Sequence, residues 1–169
     1  MIRSQHVIKA AWIFTLGMLL VGCLPPTAQK GDEQKLNWEQ AKARAQAGEM
    51  QIVSMVPSEF ISTVEQKPTG LLFSCAEGQY RWKGATTVIL THDADIESIV
   101  KSIEQRYRDA DEFDIDTWRN VSGWYDFQLK SRETAANYIV GQDNENTIRI
   151  DSGSVCFTLP EGVYPGGKF

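Results

Sequence analysis

Residues that commonly carry catalytic chemistry are scarce in this chain of 169 residues. It has two histidines and three cysteines, with no C-x-x-C pair and no G-x-S-x-G turn to present a serine nucleophile. Positive charge is also in the minority, at 17 lysines and arginines against 22 aspartates and glutamates. Nucleic acids and bare anionic membranes attract clustered positive charge, so the composition argues against both as partners. No catalytic residue, metal site or other cofactor is predicted.

The chain also lacks an apolar run long enough to predict a membrane span. Arg3 and Lys9 lead into an uncharged apolar run at residues 10–22, whereas a spanning helix needs roughly 20 residues. A basic start followed by about 7 to 15 apolar residues is typical of a signal peptide. We therefore predict that residues 1–22 are a signal peptide and that the mature protein lies outside the cytoplasm.

The signal ends in Leu20, Val21, Gly22 and Cys23, which resemble the lipobox of bacterial lipoproteins. In lipoproteins the cysteine sulfur receives a diacylglyceryl group, the chain is cut before the cysteine, and the new terminus can be acylated. The resemblance implies that Cys23 is the lipidation site, with acyl chains such as palmitate holding the protein at the extracytoplasmic face of the cell membrane. An uncleaved signal anchor and a secretory signal cut elsewhere are the alternatives, and both leave the domain outside the cytoplasm.

The remaining chain divides into a tether and a domain. Loss of residues 1–22 removes Arg3 and Lys9 but no acid, so the net charge changes from −5 to −7. Residues 23–35 are polar, contain two prolines and have almost nothing to bury, which predicts a flexible tether. Residues 36–169 are predicted to form a single extracytoplasmic domain, long enough to bury its own core.

Two helices are predicted in this domain. Asn37 and Gln40 form a capping-box pattern before an alanine-rich run at 38–47, which Gly48 weakens or ends unless the apolar residues up to Pro57 continue it. A second helix over 94–108, capped by Asp93, has one apolar stripe formed by Ile96, Ile99, Val100, Ile103 and Tyr107. Its pairs Glu97–Lys101 and Glu104–Arg108 are expected on the solvated side.

Short apolar or alternating segments predict strands near 71–75, 80–82, 87–90, 113–116, 125–130, 138–140, 148–150 and 155–157. A turn is expected at Lys83 and Gly84, and a hairpin loop at 143–146. Alternation of apolar and polar residues indicates strands with one wet face, which is typical of antiparallel sheets. We therefore predict an α+β fold: a mostly antiparallel sheet with the 94–108 helix packed on one face, plus an N-terminal helix.

Two cysteines, Cys75 and Cys156, lie inside the predicted domain, in a compartment where disulfides persist. We predict that they pair with each other. A reactive cysteine is the alternative, but it needs a redox partner motif or a neighbouring base.

Other sequence features give weaker indications of chemistry. His92 is expected in a loop, and Ser98-x-x-Lys101 matches the S-x-x-K of penicillin-recognising enzymes without its companion motifs. The acidic run at 109–116 invites a calcium interpretation but lacks the glycine and the closing glutamate of an EF-hand loop. The separation of a carboxyl pair for glycoside hydrolysis is a property of the fold, so an envelope enzyme remains an alternative.

Aromatic residues offer the best candidates for ligand contact. Trp118 shares the strand parity of Asp114 and Asp116 and is expected to face outward, and Trp124 follows at the next turn. Exposed aromatic side chains among polar residues are typical of binding surfaces. We predict Trp118 and Trp124 as ligand-binding residues.

Four segments of the domain resemble small, uncharacterised lipoproteins of actinobacteria: Leu72–Cys75, Tyr80–Gly84, Thr86–Val88 and Cys156–Gly162. The resemblance spans roughly residues 57–162. It implies a lipid-anchored exported domain in which Cys75 pairs with Cys156, and it implies no activity. Together these patterns favour a non-enzymatic module that binds an envelope protein, peptide or glycan. A small envelope enzyme is the alternative, and solute capture for a transporter is less favoured because such receptors generally have two lobes.

Overall fold

The computed structural model describes residues 36–169. The predicted signal peptide, the tether and Cys23 lie outside the described residues. Within that range the chain forms helices α1 and α2, a short 3₁₀ turn at Ser58–Phe60, and strands β1 to β7. The helices are α1 (Trp38–Val53) and α2 (Ile96–Ala110), and the strands are β1 (Ile61–Gln66), β2 (Leu71–Ala76), β3 (Gln79–Leu90), β4 (Phe113–Arg119), β5 (Tyr125–Ser131), β6 (Asn137–Asn144) and β7 (Thr147–Gly153).

All the strands belong to one sheet in which every pairing is antiparallel. Its order is β1-β3-β7-β6-β5-β4, and β2 also pairs with β3. Strands β1 and β2 share one edge of β3, because β1 pairs with residues 86–90 and β2 with residues 79–83. The predicted α+β fold with a mostly antiparallel sheet is confirmed.

Both helices pack on the same face of this sheet. Helix α1 contacts β3 and β7, whereas α2 contacts β4, β5, β6 and β7. Ile52 of α1 and Ile103 of α2 belong to one core with Val88, Val140 and Ile150 of the sheet. No helix of residues 36–169 covers the opposite side, which we call the helix-free face.

Helix α2 differs from its prediction at both ends and on its solvated side. Its N-cap is Asp95 rather than Asp93, since the Asp95 side chain accepts a hydrogen bond from the Ser98 amide at 3.1 Å. The helix ends where Asp111 adopts a left-handed conformation, at φ 54°. The apolar stripe is buried as predicted. Glu104 is not solvated but buried, where it accepts from the Tyr125 hydroxyl and pairs with Arg108.

Helix α1 begins with the predicted capping box of Asn37 and Gln40. It does not end at Gly48, where the aromatic ring of Tyr138 packs directly on the glycine. A Cβ atom at Gly48 would lie 2.0 Å from the Tyr138 hydroxyl oxygen. The glycine therefore lets the helix approach the sheet, and the helix continues to Val53.

The predicted strands at 80–82 and 87–90 are one continuous strand, and the expected turn at Lys83 and Gly84 does not form. Lys83 pairs with Leu71 on one side and Gly153 on the other, so neighbouring strands hold this segment extended. Strand β1 was not predicted. The expected strand at 155–157 reduces to one bridge between Tyr80 and Phe157.

A second, smaller core fastens the segment 154–169 to β2 and β3. Trp82 is fully buried there among Ala41, Ala45, Phe157 and Phe169, and its indole nitrogen donates to the Phe169 carbonyl at 3.1 Å. The backbone of Gly70 also bonds to Phe169 in both directions. The predicted disulfide between Cys75 and Cys156 is present and joins β2 to the same segment.

Candidate ligand-binding site

Three rows of side chains cross the helix-free face, because residues in antiparallel register point to the same side of a sheet. Read from β4 to β3, the rows are Trp118-Asp126-Gly141-Arg149-Thr87, Asp116-Gln128-Ile139-Asp151-Ala85 and Asp114-Lys130-Asn137-Gly153-Lys83. Asp114 and Asp116 lie on the edge strand β4, and Lys83 lies on β3. Asp114 and Asp116 therefore lie at one end of the rows and Lys83 at the other, with the charged residues Lys130, Asp126, Arg149 and Asp151 between them.

A cavity of about 600 Å³ opens on this face where β3, β7 and β6 meet the start of β2. We call it the basic pocket. Four cationic side chains line it: Lys67, Lys83, Arg149 and Lys168. The lining also includes the carboxylate of Asp151, the amide of Asn137 and four apolar side chains, those of Leu71, Phe73, Ala85 and Ile139. Such a mixture of apolar walls and a few convergent polar groups is typical of ligand sites.

Three separate connections hold the walls of the basic pocket in place. The Lys67 amide, just after β1, donates to the Ala85 carbonyl at 3.0 Å. Leu71 is paired with Lys83 in the sheet. The segment that carries Lys168 is fixed by the two backbone hydrogen bonds between Phe169 and Gly70 and by the Cys75–Cys156 disulfide. The pocket is therefore built by regular structure and a covalent link.

Most of the positive charge in the pocket has no carboxylate partner within the described range. Arg149 donates to both carboxylate oxygens of Asp151, at 2.9 to 3.0 Å, and this interaction raises the pKa of Arg149. By contrast, none of the ion pairs among residues 36–169 includes Lys67, Lys83 or Lys168. All three lysines are exposed. The pocket is consequently electropositive in a chain whose net charge is negative.

An apolar wall stands beside these cations. Leu71 and Phe73, on strand β2, are 53% and 48% exposed. The Lys83 ammonium lies 5.3 Å from the centre of the Phe73 ring, within the range of a cation–π interaction. Chemically, this arrangement can hold an anionic group against the cations while an apolar portion of the same molecule covers the wall.

Both tryptophans predicted to bind a ligand lie outside the lining of the basic pocket. Trp118 is 37% exposed on the helix-free face, and Trp124 is half-buried in the β4–β5 turn, where its amide donates to the Asn120 side chain at 3.1 Å. Their role as ligand contacts stays a prediction.

Trp118 does have a chemically unusual neighbour, Asp126, its partner in the sheet register. Asp126 is almost completely buried. Burial raises the pKa of this carboxyl, and hydrogen bonds from Asn120 and Trp118 oppose that effect. Gly141 makes room for it, because a Cβ there would lie 1.9 Å from the carboxyl oxygen. A carboxyl group with a raised pKa is a candidate for acid–base chemistry, so the enzyme alternative is to be tested first at Asp126.

The remaining sequence candidates are held in other interactions. Ser98 donates to Asp95, and Lys101 pairs with Glu97 at 2.7 Å. In the acidic run, Asp111 and Asp114 pair with Arg132, and Asp116 pairs with Lys130. His92 is exposed. Across residues 36–169 no three histidine, cysteine or acidic side chains are grouped so as to hold a metal ion, and no helix has the length and apolarity to span a membrane.

No protein-family model matches the chain, and no curated protein matches it. Among solved structures, it is similar to the crystal structure of the putative lipoprotein LppA from Mycobacterium tuberculosis, at 14% sequence identity and a TM-score of 0.47, over 79% of this chain and 86% of that one.

Sequence reasoning missed the basic pocket because its cations come from four separate segments of the chain. Lys67 follows a strand that was not predicted, and Lys83 was assigned to a turn. Of the four cations, only Arg149 lay in a predicted strand. It alternates there with the apolar residues Ile148 and Ile150, which indicates that its side chain faces solvent. That alternation was the one available signal.

Proposed function

We propose that the chain is a lipid-anchored extracytoplasmic protein that binds a component of the cell envelope in the basic pocket and performs no reaction on it. The pocket carries this proposal: it is a 600 Å³ concavity in which cationic and apolar side chains converge. Most of the side chains lining it are cationic donors of hydrogen bonds or apolar, which suits retention of a ligand.

Support for the anchor comes from the sequence. A basic start, a short apolar run and Leu20-Val21-Gly22-Cys23 follow one another in the order that a lipoprotein signal requires. The disulfide at Cys75 and Cys156 suits an oxidising compartment, because disulfides rarely persist in the cytosol. Two acyl chains would hold the protein stably at the membrane, and one chain would not.

The anchor is tested by comparing the wild-type protein with a Cys23→Ser variant in the native host. We expect the wild type in the membrane fraction, with an intact mass that corresponds to loss of residues 1–22 and addition of acyl groups. The variant should lose the acyl mass. A wild-type protein that retains residues 1–22 and carries no lipid contradicts the anchor.

The binding site is tested by photo-crosslinking in intact cells. A photoreactive amino acid replaces Thr69, an exposed residue that lines the basic pocket, and a matched protein carries it at Val121, a fully exposed residue in the β4–β5 turn. We expect one defined adduct from position 69 that is absent from position 121, identified by mass spectrometry. Identical adducts from both positions, or none from position 69, would contradict ligand binding in the pocket.

A further inference from the structure

We propose that the ligand of the basic pocket is an anionic amphiphile, in which a phosphate or carboxylate group is joined to a hydrocarbon chain. This inference rests on the proposed function and gives the chemical class of its ligand. The argument combines the placement of charge, the placement of apolar area and the concave shape of the site.

The charged part of the ligand is indicated by the lysines. Lys67, Lys83 and Lys168 converge on one cavity from three parts of the chain, and no carboxylate of residues 36–169 pairs with them. Like charges brought together repel one another, so a fold that gathers them without a counter-charge is complementary to an anion. The one carboxylate of the lining, Asp151, is engaged by Arg149 and leaves the lysines available.

The apolar part of the ligand is indicated by β2. Leu71 and Phe73 expose about half of their area at the rim of the same cavity. In the sheet, Leu71 pairs with Lys83 of β3 and Phe73 pairs with Arg81. Each of these apolar residues therefore lies beside a cationic residue of the adjacent strand. A ligand with only a charge would leave this wall in water, whereas a hydrocarbon chain would cover it.

The concave shape favours a single bound molecule over a membrane surface. A protein that docks on a bilayer inserts protruding apolar side chains between headgroups. In the basic pocket the apolar lining also includes Ala85, which is buried, and Ile139, which is half-buried. An anion-containing molecule therefore enters the pocket, and the alternative of surface docking becomes an outcome of the test.

The test uses the lipid-anchored protein in phosphatidylcholine nanodiscs and three soluble probes: hexyl phosphate, hexanol and inorganic phosphate. Binding is measured by calorimetry, with empty nanodiscs subtracted. We expect one hexyl phosphate per protein, bound more tightly than either other probe, with an affinity that falls as salt is raised. Loss of one charge-assisted contact in Lys83→Gln or Lys168→Gln should weaken hexyl phosphate binding by about tenfold.

Matched controls separate the pocket from general attraction. Lys130→Gln removes a cation from the same helix-free face but outside the lining, and it should leave the affinity unchanged. Phe73→Ser should weaken binding of hexyl phosphate but not of inorganic phosphate, whereas Val121→Ser, at an exposed turn, should change neither. Circular dichroism of each variant checks that it is folded.

Any one of the following results would overturn the inference. In the first, hexanol binds as tightly as hexyl phosphate, or Lys130→Gln weakens binding as much as Lys83→Gln does. In the second, hexyl phosphate does not bind. In the third, the anchor-free Cys23→Ser protein associates with empty phosphatidylglycerol nanodiscs but not with phosphatidylcholine ones, in a Lys83-dependent way, which would show membrane docking. Photo-crosslinking at position 69 can also yield a pocket-specific adduct that is not an anionic amphiphile. That result would overturn the inference about the class of ligand, whereas the proposed binding function would stand.

Discussion

Glu49 of helix α1 offers the sharpest test of what holds this fold together. Its side chain is fully buried, and it accepts hydrogen bonds from three strands of the sheet. Thr86 of β3 donates at 2.7 Å, Gln66 of β1 donates at 2.8 Å, and Ser152 of β7 also donates. No cation of residues 36–169 pairs with it. One carboxyl group thus attaches the helix to the middle of the sheet.

The expected cost of Glu49→Ala follows from these partners. A buried polar group left without a partner costs about 1 to 3 kcal/mol. The Gln66 side chain also donates to the Gln46 carbonyl at 2.9 Å, so it keeps one hydrogen-bond acceptor in the variant. The two hydroxyls of Thr86 and Ser152 lose their acceptor in a closed interior. We therefore expect Glu49→Ala to lower the free energy of unfolding by about 3 to 5 kcal/mol, which includes the loss of its packed methylene groups.

A matched triple variant separates lost hydrogen bonds from lost volume. Glu49→Leu alone should be strongly destabilising, because it leaves the same hydroxyls unpaired. Combining it with Thr86→Val and Ser152→Ala replaces the polar cluster with apolar groups and should restore stability to near or above the wild-type value. Urea unfolding of the full chain, followed by tryptophan fluorescence, gives the free energies. A cost below about 1 kcal/mol for Glu49→Ala, or no recovery in the triple variant, would refute the reasoning.

Further predictions concern a close contact, an ion pair and the disulfide. Gly48→Ala would gain about 1 kcal/mol in an ordinary helix interior, but we expect it to destabilise this protein because its Cβ would overlap Tyr138; a higher urea midpoint would contradict the contact. Arg119 and Lys101 lower the pKa of Glu97 to about 2, so their stabilising effect is present above about pH 4.5 and is lost as the pH falls towards 2. In an NMR titration, Arg119→Gln should move the Glu97 midpoint up towards its ordinary value, and an unchanged midpoint would rule out Arg119 as the main cause. Replacing Cys75 and Cys156 by serine opens a loop with a sequence separation of 81, which should cost up to about 4 kcal/mol; a reductant should shift the urea midpoint of the wild type but not of the double variant.

Local patterns predicted most of the regular structure, and long-range partners account for the errors. The apolar stripe of α2 has the helical period, so its burial follows from sequence alone. The burial of Glu104 depends on partners outside its helix, such as Tyr125 of β5, whose hydroxyl donates to it. In the same way, Gly48 of α1 fits closely against Tyr138 of β6, and β3 continues through Lys83 because β2 and β7 pair with that residue from its two sides. Turn and cap signals report local preference, and tertiary contacts overrode them at these positions.

The candidate site was less predictable than the fold for a related reason. Trp118 was placed correctly on the outer side of its strand, because alternation in β4 is local. The basic pocket needs the register of β2, β3, β6 and β7 together with the path of the segment 154–169. None of these follows from spacing along the chain, since strand order is a property of the whole sheet.

The distribution of charge in the fold also limits what net charge can exclude. The excess of acids argues against long polyanions and anionic membrane surfaces, because those partners contact a wide area and respond to its summed potential. A small ligand responds to the groups within a few ångströms, and salt screens the more distant ones. On the helix-free face the exposed acids Asp114 and Asp116 lie on the edge strand β4 and pair with Arg132 and Lys130. The lysines of the basic pocket lie towards the other edge, outside those pairs. A chain with a net charge of −5 can therefore present a site for a small anion, provided that its fold separates the two signs as this sheet does.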